Sequence, residues 1–149
     1  MSKKFNVRVY GILENEDCVL VSDENRFGTQ FTKFPGGGLE WGEGLKECLI
    51  REFQEELSID IQLNELYYLT DYFQVSAFNE KDQIISVYYT VSTNDLQEIS
   101  TVQKQFDFDG QEQVFRWVPK SEILVEQITF PIDERVARML CNGELKTKN

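Results

Sequence analysis

From Pro35 to Ile59 the chain passes from a proline and three consecutive glycines, Gly36 to Gly38, into an amphipathic stretch ending in clustered glutamates. No other passage limits the possible fold as strongly. Pro35-Gly36-Gly37-Gly38 punctuates regular structure rather than extending it, so an irregular turn is expected there. The helix that follows should begin near Gly44 and run to about Leu57. Leu49, Ile50, Phe53 and Leu57 share one arc of it, within about 100° by helical geometry. Such an arc needs a sheet to cover it. Glu52, Glu55 and Glu56 fall on the neighbouring arc, at spacings i, i+3 and i+4. Like charges so placed destabilise an isolated helix by roughly 0.2–0.5 kcal/mol per pair. A divalent cation is the simplest compensation, and beside a glycine-rich turn it points to chemistry on phosphate.

The rest of the chain supplies a sheet. Val7, Val9 and Gly11 alternate with Arg8 and Tyr10, predicting a strand that continues to Leu13. Glu14 to Asp17 reads as a polar turn and Cys18 to Val21 as the returning strand of a hairpin. Asp23 to Thr29 reads as a polar loop. Gln30 to Phe34 reads as an extended segment, because the residue before Pro35 disfavours helix. Strands are expected over Glu65 to Val75, Gln83 to Ser92 and Val114 to Val118, where β-branched and aromatic residues dominate. Ser76 to Asp82 reads as a turn, and Thr93 to Gln111 as a long polar loop. A last helix should open at Pro131 and end at Gly143, with Lys146 to Asn149 fraying. Strands on both sides of one helix, with a second helix at the end, imply an α/β fold with a mixed sheet.

Composition narrows the function. The 149 residues fit a single domain over 1–149. A net charge of −11 without any Lys/Arg run excludes a nucleic-acid polymer as the expected partner. There is no histidine, which removes the Ser-His-Asp triad, the Cys-His pair and His-ligated zinc. Acid–base work at neutral pH then falls to carboxylates, Lys, Tyr or metal-bound water. Cys18, Cys48 and Cys141 form no C-x-x-C pair, and their odd number argues against a disulfide framework, which predicts a reducing, cytoplasmic setting. All three read as packing residues. No stretch has the apolar length of a membrane span, and no apolar segment follows Lys3 and Lys4 as a leader would require.

The stretch from Gly37 resembles the Nudix box, G-x5-E-x7-R-E-U-x-E-E-x-G-U with U a bulky apolar residue. Gly37 matches the first glycine, Glu43 the first glutamate, Arg51-Glu52 the R-E pair, Phe53 the first U, Glu55-Glu56 the E-E pair and Ile59 the last U. Ser58 stands where the pattern has its late glycine, at a helix end where a left-handed conformation suits glycine best. Phe34 to Gly38, and Trp117-Val118-Pro119 with Glu122, are also similar to Nudix sequences. The resemblance implies an α/β/α sandwich, a mixed β-sheet flanked by helices. It also implies Mg²⁺- or Mn²⁺-dependent hydrolysis of the pyrophosphate bond in a nucleoside diphosphate derivative. Nucleotide sugars, ADP-ribose-like compounds, nucleoside triphosphates and dinucleoside polyphosphates all stay open. No coenzyme A type signature precedes Pro35. The proline that marks many ADP-ribose hydrolases is missing from residues 60 to 80. Many relatives are dimers, so a homodimer is a further expectation.

The resemblance places Glu52, Glu55 and Glu56 at metal-ligand positions, with the backbone carbonyl of Gly37 or Gly38 completing the shell. Either Glu52 or Glu56 could accept the proton of the attacking water. Arg51 lies i−4 from Glu55 and i+4 from Glu47, within ion-pair reach of both, and the matching family arginine holds glutamates in place. Glu43 reads as a helix-start residue and structural partner. Glu112, just before the last strand, is a weaker candidate for a ligand or base. Phe27, Tyr72 and Phe78 are candidates to stack on a nucleobase. The competing function is a Nudix-fold nucleotide or ligand sensor without turnover, which the intact Arg51-Glu52 and Glu55-Glu56 set disfavours.

Overall fold

A computed structural model describes residues 2–125 and 128–143. Seven strands and two helices follow in the order β1 (Lys4–Asn15), β2 (Cys18–Arg26), β3 (Thr29–Lys33), β4 (Gly36–Gly38), α1 (Leu45–Leu57), β5 (Gln62–Leu69), β6 (Asp82–Ser92), β7 (Gln113–Pro119) and α2 (Pro131–Asn142). The strand order is β3-β2-β1-β6-β5, with β4 added on β1 and β7 on β2. β1 runs parallel to β6 from Lys4 to Leu13, and every other pairing is antiparallel, so the sheet is mixed.

Both faces of β1 are covered, and this sets the layering. Val9 and Leu13 pack with Cys48, Leu49, Phe53 and Ile59 from α1 and its exit. Tyr10 and Ile12 pack with Ile132, Val136, Ala137 and Leu140 of α2. Alternation along one strand thus feeds two cores, one under each helix. The helix arc expected to face the sheet does so at Leu49 and Phe53, with Leu57 half-buried; Ile50 is 43% exposed and lies outside the core. Its position falls at the arc's edge, where the sheet no longer reaches.

Several expected boundaries move. The polar segment from Asp23 is not a loop: β2 continues to Arg26, paired with both β3 and β7. Pro35 to Gly38 is not wholly irregular either, since Gly36 to Gly38 form β4 against Arg8 to Tyr10. Gly36 has φ +144° and a Cβ there would run into the Val9 carbonyl, so only glycine lets this backbone close on β1. The strand expected over Glu65 to Val75 starts at Gln62 and stops at Leu69; Val75 makes only an isolated bridge to Gln83. The long loop after β6 holds one 3-10 turn, Leu96–Glu98. The last helix stops before Gly143 as the sequence predicts. The Lys146 to Asn149 expectation lies outside the described residues.

Ser58 caps α1 in the left-handed region, φ 56° and ψ 37°, with its N–H donating to the Gln54 carbonyl. A non-glycine residue pays a steric cost there of roughly 1–2 kcal/mol, and glycine loses about 0.5–1 kcal/mol more chain entropy on folding. Ser58→Gly is therefore expected to stabilise the protein by up to about 1 kcal/mol, read as a higher urea midpoint. An unmoved midpoint would mean that the serine bears no strain.

Candidate active site

α1 presents its acidic arc to the seam between β4 and the end of β2. Glu52 and Glu56, one turn apart, are half-buried and lean inward. The Glu52 carboxylate lies on the backbone of Gly37: a Cβ at that position would stand 2.5 Å from Glu52 Oε1. Glycine here makes room for a carboxylate. Glu56 Oε2 accepts from Gln113 Nε2 at 2.7 Å. The same amide donates to Ser22 Oγ at 2.8 Å and approaches Glu24 Oε2 at 3.2 Å. Burial raises the pKa of Glu52, with Arg51 and Lys33 opposing. Burial also raises that of Glu56, opposed by Lys33 and the Gln113 hydrogen bond.

Two cations stand under this cluster. Lys33 is almost fully buried, yet each direction of its ammonium has an acceptor: Glu24 Oε2 at 2.9 Å, the Gly36 carbonyl at 3.0 Å and the Phe34 carbonyl at 3.3 Å. Arg8 donates from Nε to the Tyr10 hydroxyl at 2.7 Å. Burial works against its charge, but Tyr10, Glu24 and Glu52 hold its pKa above the ordinary value. A chain with a net charge of −11 thus keeps two positive side chains at the place where an anion would have to approach.

Glu55 goes elsewhere. Its side chain is 59% exposed and accepts from Arg51 Nη1 at 3.0 Å. Arg51 also grips Glu43 through Nε at 2.9 Å and Nη2 at 2.7 Å, and reaches the Gly38 carbonyl at 3.2 Å. That bond to Arg51 holds Glu43 down to about 2, helped by the Glu40 backbone N–H. Glu47, the other expected partner of Arg51, instead accepts from the Gly44 N–H at 2.8 Å and caps the helix start. Cys48 is buried, as a small core residue would be, and burial beside Glu43 pushes its thiol up to about 12.

The structure therefore seats Glu52 on Gly37 and Glu56 on Gln113, while the exposed Glu55 shares Arg51 Nη1 with Glu52, at 3.0 and 3.5 Å. The Gly38 carbonyl is engaged by Arg51 and the Cys48 thiol. Among the described residues, no three Cys or acidic side chains gather closely enough to hold an ion by themselves. Two hard-oxygen carboxylates still suit Mg²⁺ or Mn²⁺, because such ions keep several waters and take further oxygens from substrate phosphates. Burial that disfavours both charges is the local strain a cation would relieve.

Glu112 is exposed, and its backbone carbonyl accepts from the Asn25 N–H at 2.8 Å. The side chain that reaches Glu56 is one residue on, at Gln113. With β7 beginning at Gln113, strand alternation turns that side chain toward Glu56. Lys33, Arg8, Glu24 and Ser22 also went unseen in the sequence. A signal did exist for part of this network. Arg116 stands alone among Val114, Phe115, Trp117 and Val118, and a cation in an apolar strand calls for a buried acid. Its partner is Asp23. Of the three candidate aromatics, Phe27 is fully exposed, Tyr72 lies under the Arg135 guanidinium at 5.0 Å, and Phe78 packs at the mouth of a pocket on the α2 side.

A family model described as NUDIX domain matches residues 4–139. The chain belongs to the NUDIX domain family. Solved structures share the fold of this NUDIX domain. A NUDIX hydrolase from Nitrosomonas europaea is 20% identical with a TM-score of 0.70, covering 95% of this chain and 91% of that one. A MutT protein from Methanosarcina mazei Go1 is 18% identical with a TM-score of 0.69, covering 96% and 97%. An ADP-ribose pyrophosphatase from Streptococcus suis 89-1591 is 15% identical with a TM-score of 0.59, covering 93% and 90%. No curated protein matches the sequence. The NUDIX layering is the mixed sheet between two helices described above, and the box residues are those that line the turn from β4 into α1. Among the described residues, no helix is long and apolar enough to cross a membrane.

Proposed function

We propose that this NUDIX domain is a metal-dependent pyrophosphohydrolase acting on a nucleoside diphosphate derivative. The observation that carries this reading is the pair of inward carboxylates, Glu52 on Gly37 and Glu56 on Gln113, set over the buried cations Lys33 and Arg8. Glu52 and Glu56 would hold Mg²⁺ or Mn²⁺. Bound there, the ion would screen phosphate oxygens and polarise the phosphorus for attack by water. Arg51 acts at one remove, tying Glu43 and Glu55 to the β4 turn so that α1 keeps its register on Gly37. Gln113 fixes the rotamer of Glu56 and leaves Oε1 to meet solvent, ion or proton. Glu52 and Glu56, whose acidities burial weakens, are suited to take the proton from water. Lys33 and Arg8 supply positive potential that draws an anionic substrate in.

A panel of nucleoside triphosphates, nucleotide sugars, ADP-ribose and dinucleoside polyphosphates tests the proposal directly. With Mg²⁺, at least one member should release phosphate or nucleotide, and excess chelator should abolish the release. A panel silent with both Mg²⁺ and Mn²⁺ would refute hydrolysis; detectable nucleotide binding in that case would favour a sensor.

Gly37→Ala tests the seating of Glu52. The added methyl displaces the carboxylate from the β4 turn. A displacement of about 1 Å costs on the order of 10²-fold in turnover, while the apolar cores, which Gly37 does not enter, stay closed. Turnover within twofold of the parent would show that the position of Glu52 is immaterial.

A further inference from the structure

The C-terminal half of β2 runs between β3 and β7, and its register sets three side chains around one carboxylate. Gln113 of β7 stands opposite Glu24, and Lys33 of β3 stands opposite Ser22. Residues opposite one another, and residues two apart on one strand, share a face of the sheet. Glu24 gathers all three. Its Oε2 accepts from the Ser22 hydroxyl at 2.9 Å, from Lys33 Nζ at 2.9 Å and from Gln113 Nε2 at 3.2 Å. At 6% exposure Glu24 is a buried charge, and such a charge persists only where donors and cations compensate it.

This network touches the active site at two points. Gln113 Nε2 also donates to Glu56 Oε2 at 2.7 Å. Lys33, 4% exposed, keeps its charge through Glu24 first and Glu56 next. For Glu56, Lys33 is in turn the largest influence opposing the effect of burial. One buried ammonium thus has two carboxylates in its field, and the short contact goes to Glu24. A flexible four-carbon stem lets a lysine change partners. Removing one member of a buried ion pair leaves the other charge uncompensated. Deprived of Glu24, the Lys33 ammonium would turn to Glu56, where it would compete with a divalent ion for the same oxygens.

We propose that Glu24 is a positioning residue that holds Lys33 away from Glu56 and so keeps the Glu56 carboxylate open to a divalent cation. The inference rests on the hydrolase reading for the role of Glu56 as a ligand. Glu24 acts through Lys33 and touches neither ion nor substrate. Gln113 is the neutral spacer that lets two carboxylates of like charge stand on either side of one amide. Partners behind a ligand commonly change metal affinity by about 10- to 100-fold when they are lost.

Mn²⁺ binding to the free protein, followed by electron paramagnetic resonance, reads this without turnover. Glu24→Gln keeps the shape and can keep the Ser22 hydrogen bond, and it should weaken Mn²⁺ binding about 10- to 100-fold. Glu24→Gln with Lys33→Met removes the displaced ammonium and should return the affinity to within about threefold of the parent. A purely structural Glu24 would leave both variants weak, because the second substitution restores no contact. Unchanged binding in Glu24→Gln, or a double variant as weak as the single one, would overturn the proposal. If Glu24→Gln fails to fold, the double variant, in which neither side chain is charged, decides alone. Parent-like Mn²⁺ binding there upholds the proposal, and a loss of about tenfold with Lys33 gone overturns it. A parent that binds no Mn²⁺ overturns both this role and the metal-dependent hydrolase. The expected Mn²⁺ pattern beside a silent hydrolysis panel sinks hydrolysis and keeps the positioning role; turnover with Mn²⁺ binding indifferent to Glu24 does the reverse.

Discussion

Glu56→Gln should lower turnover by about 10²- to 10⁴-fold, the range that a positioned acid–base or charge-stabilising group commands. The substitution is nearly isosteric, and it leaves the Gln113 contact possible, because the new amide oxygen can accept from Gln113 Nε2 as Oε2 does. Lys33 keeps Glu24 at 2.9 Å and its two backbone carbonyls. The fold therefore has no reason to change, and the melting temperature should stay within a few degrees of the parent. What is lost is one negative charge at the site where a cation would bind. The Mg²⁺ concentration for half-maximal activity should rise together with the fall in kcat. Equal turnover in parent and variant would remove Glu56 from the chemistry. A fall in kcat with an unchanged Mg²⁺ requirement would instead assign it to the proton alone.

The largest effect on stability should come from Asp23→Ala. Asp23 is fully buried, and its carboxylate accepts from Arg116 Nε at 2.6 Å and Nη2 at 2.9 Å, from Thr32 Oγ1 at 2.8 Å and from the Phe106 N–H at 3.1 Å. Truncation removes the Asp23 carboxylate from the Arg116 guanidinium, 2% exposed. Breaking a buried pair in this way costs about 3–5 kcal/mol. For a chain of this size that lowers the melting temperature by roughly 10–20 °C. Phe106 ties the long loop to β2 through the same carboxylate, so exchange protection of that loop should fall as well. A double variant, Asp23→Ala with Arg116→Met, removes both charges and should recover part of the loss. Recovery stays partial because the Thr32 hydroxyl and the Phe106 N–H keep no carboxylate. A single variant as stable as the parent would show that the pair is dispensable.

The site divides along similar lines. Arg51, Glu43 and Glu55 are legible because they lie on or next to one helix, where spacing alone brings them within reach. Glu52 and Glu56 are legible as one arc, but the sequence treats Glu55 as their equal. Only the tertiary structure distinguishes their burial: Glu52 and Glu56 are half-buried, while Glu55 is 59% exposed on the Arg51 it shares with Glu52. That Gln113, and not Glu112, meets Glu56 has a different reason. A one-residue change in where a strand begins exchanges the inward and outward faces, and a polar strand end carries no hydrophobic signal to fix that boundary.

Local pattern determined the helices. α1 and α2 are long, periodic and bounded by Gly44, Ser58, Pro131 and Gly143, so their limits follow from residues that touch each other along the chain. It also showed that regular structure is interrupted at Pro35 to Gly38 and that no histidine is present for the chemistry, whereas the need for glycine at Gly36 came from the approach of β1. The tertiary structure alone decided that Asp23 and Glu24 lie inside the molecule, because their partners Arg116 and Lys33 arrive from other strands. Read in isolation, an acidic run is cheapest in water. It is buried here because the sheet delivers a matched cation to each carboxylate, an energy that no stretch of neighbouring residues contains.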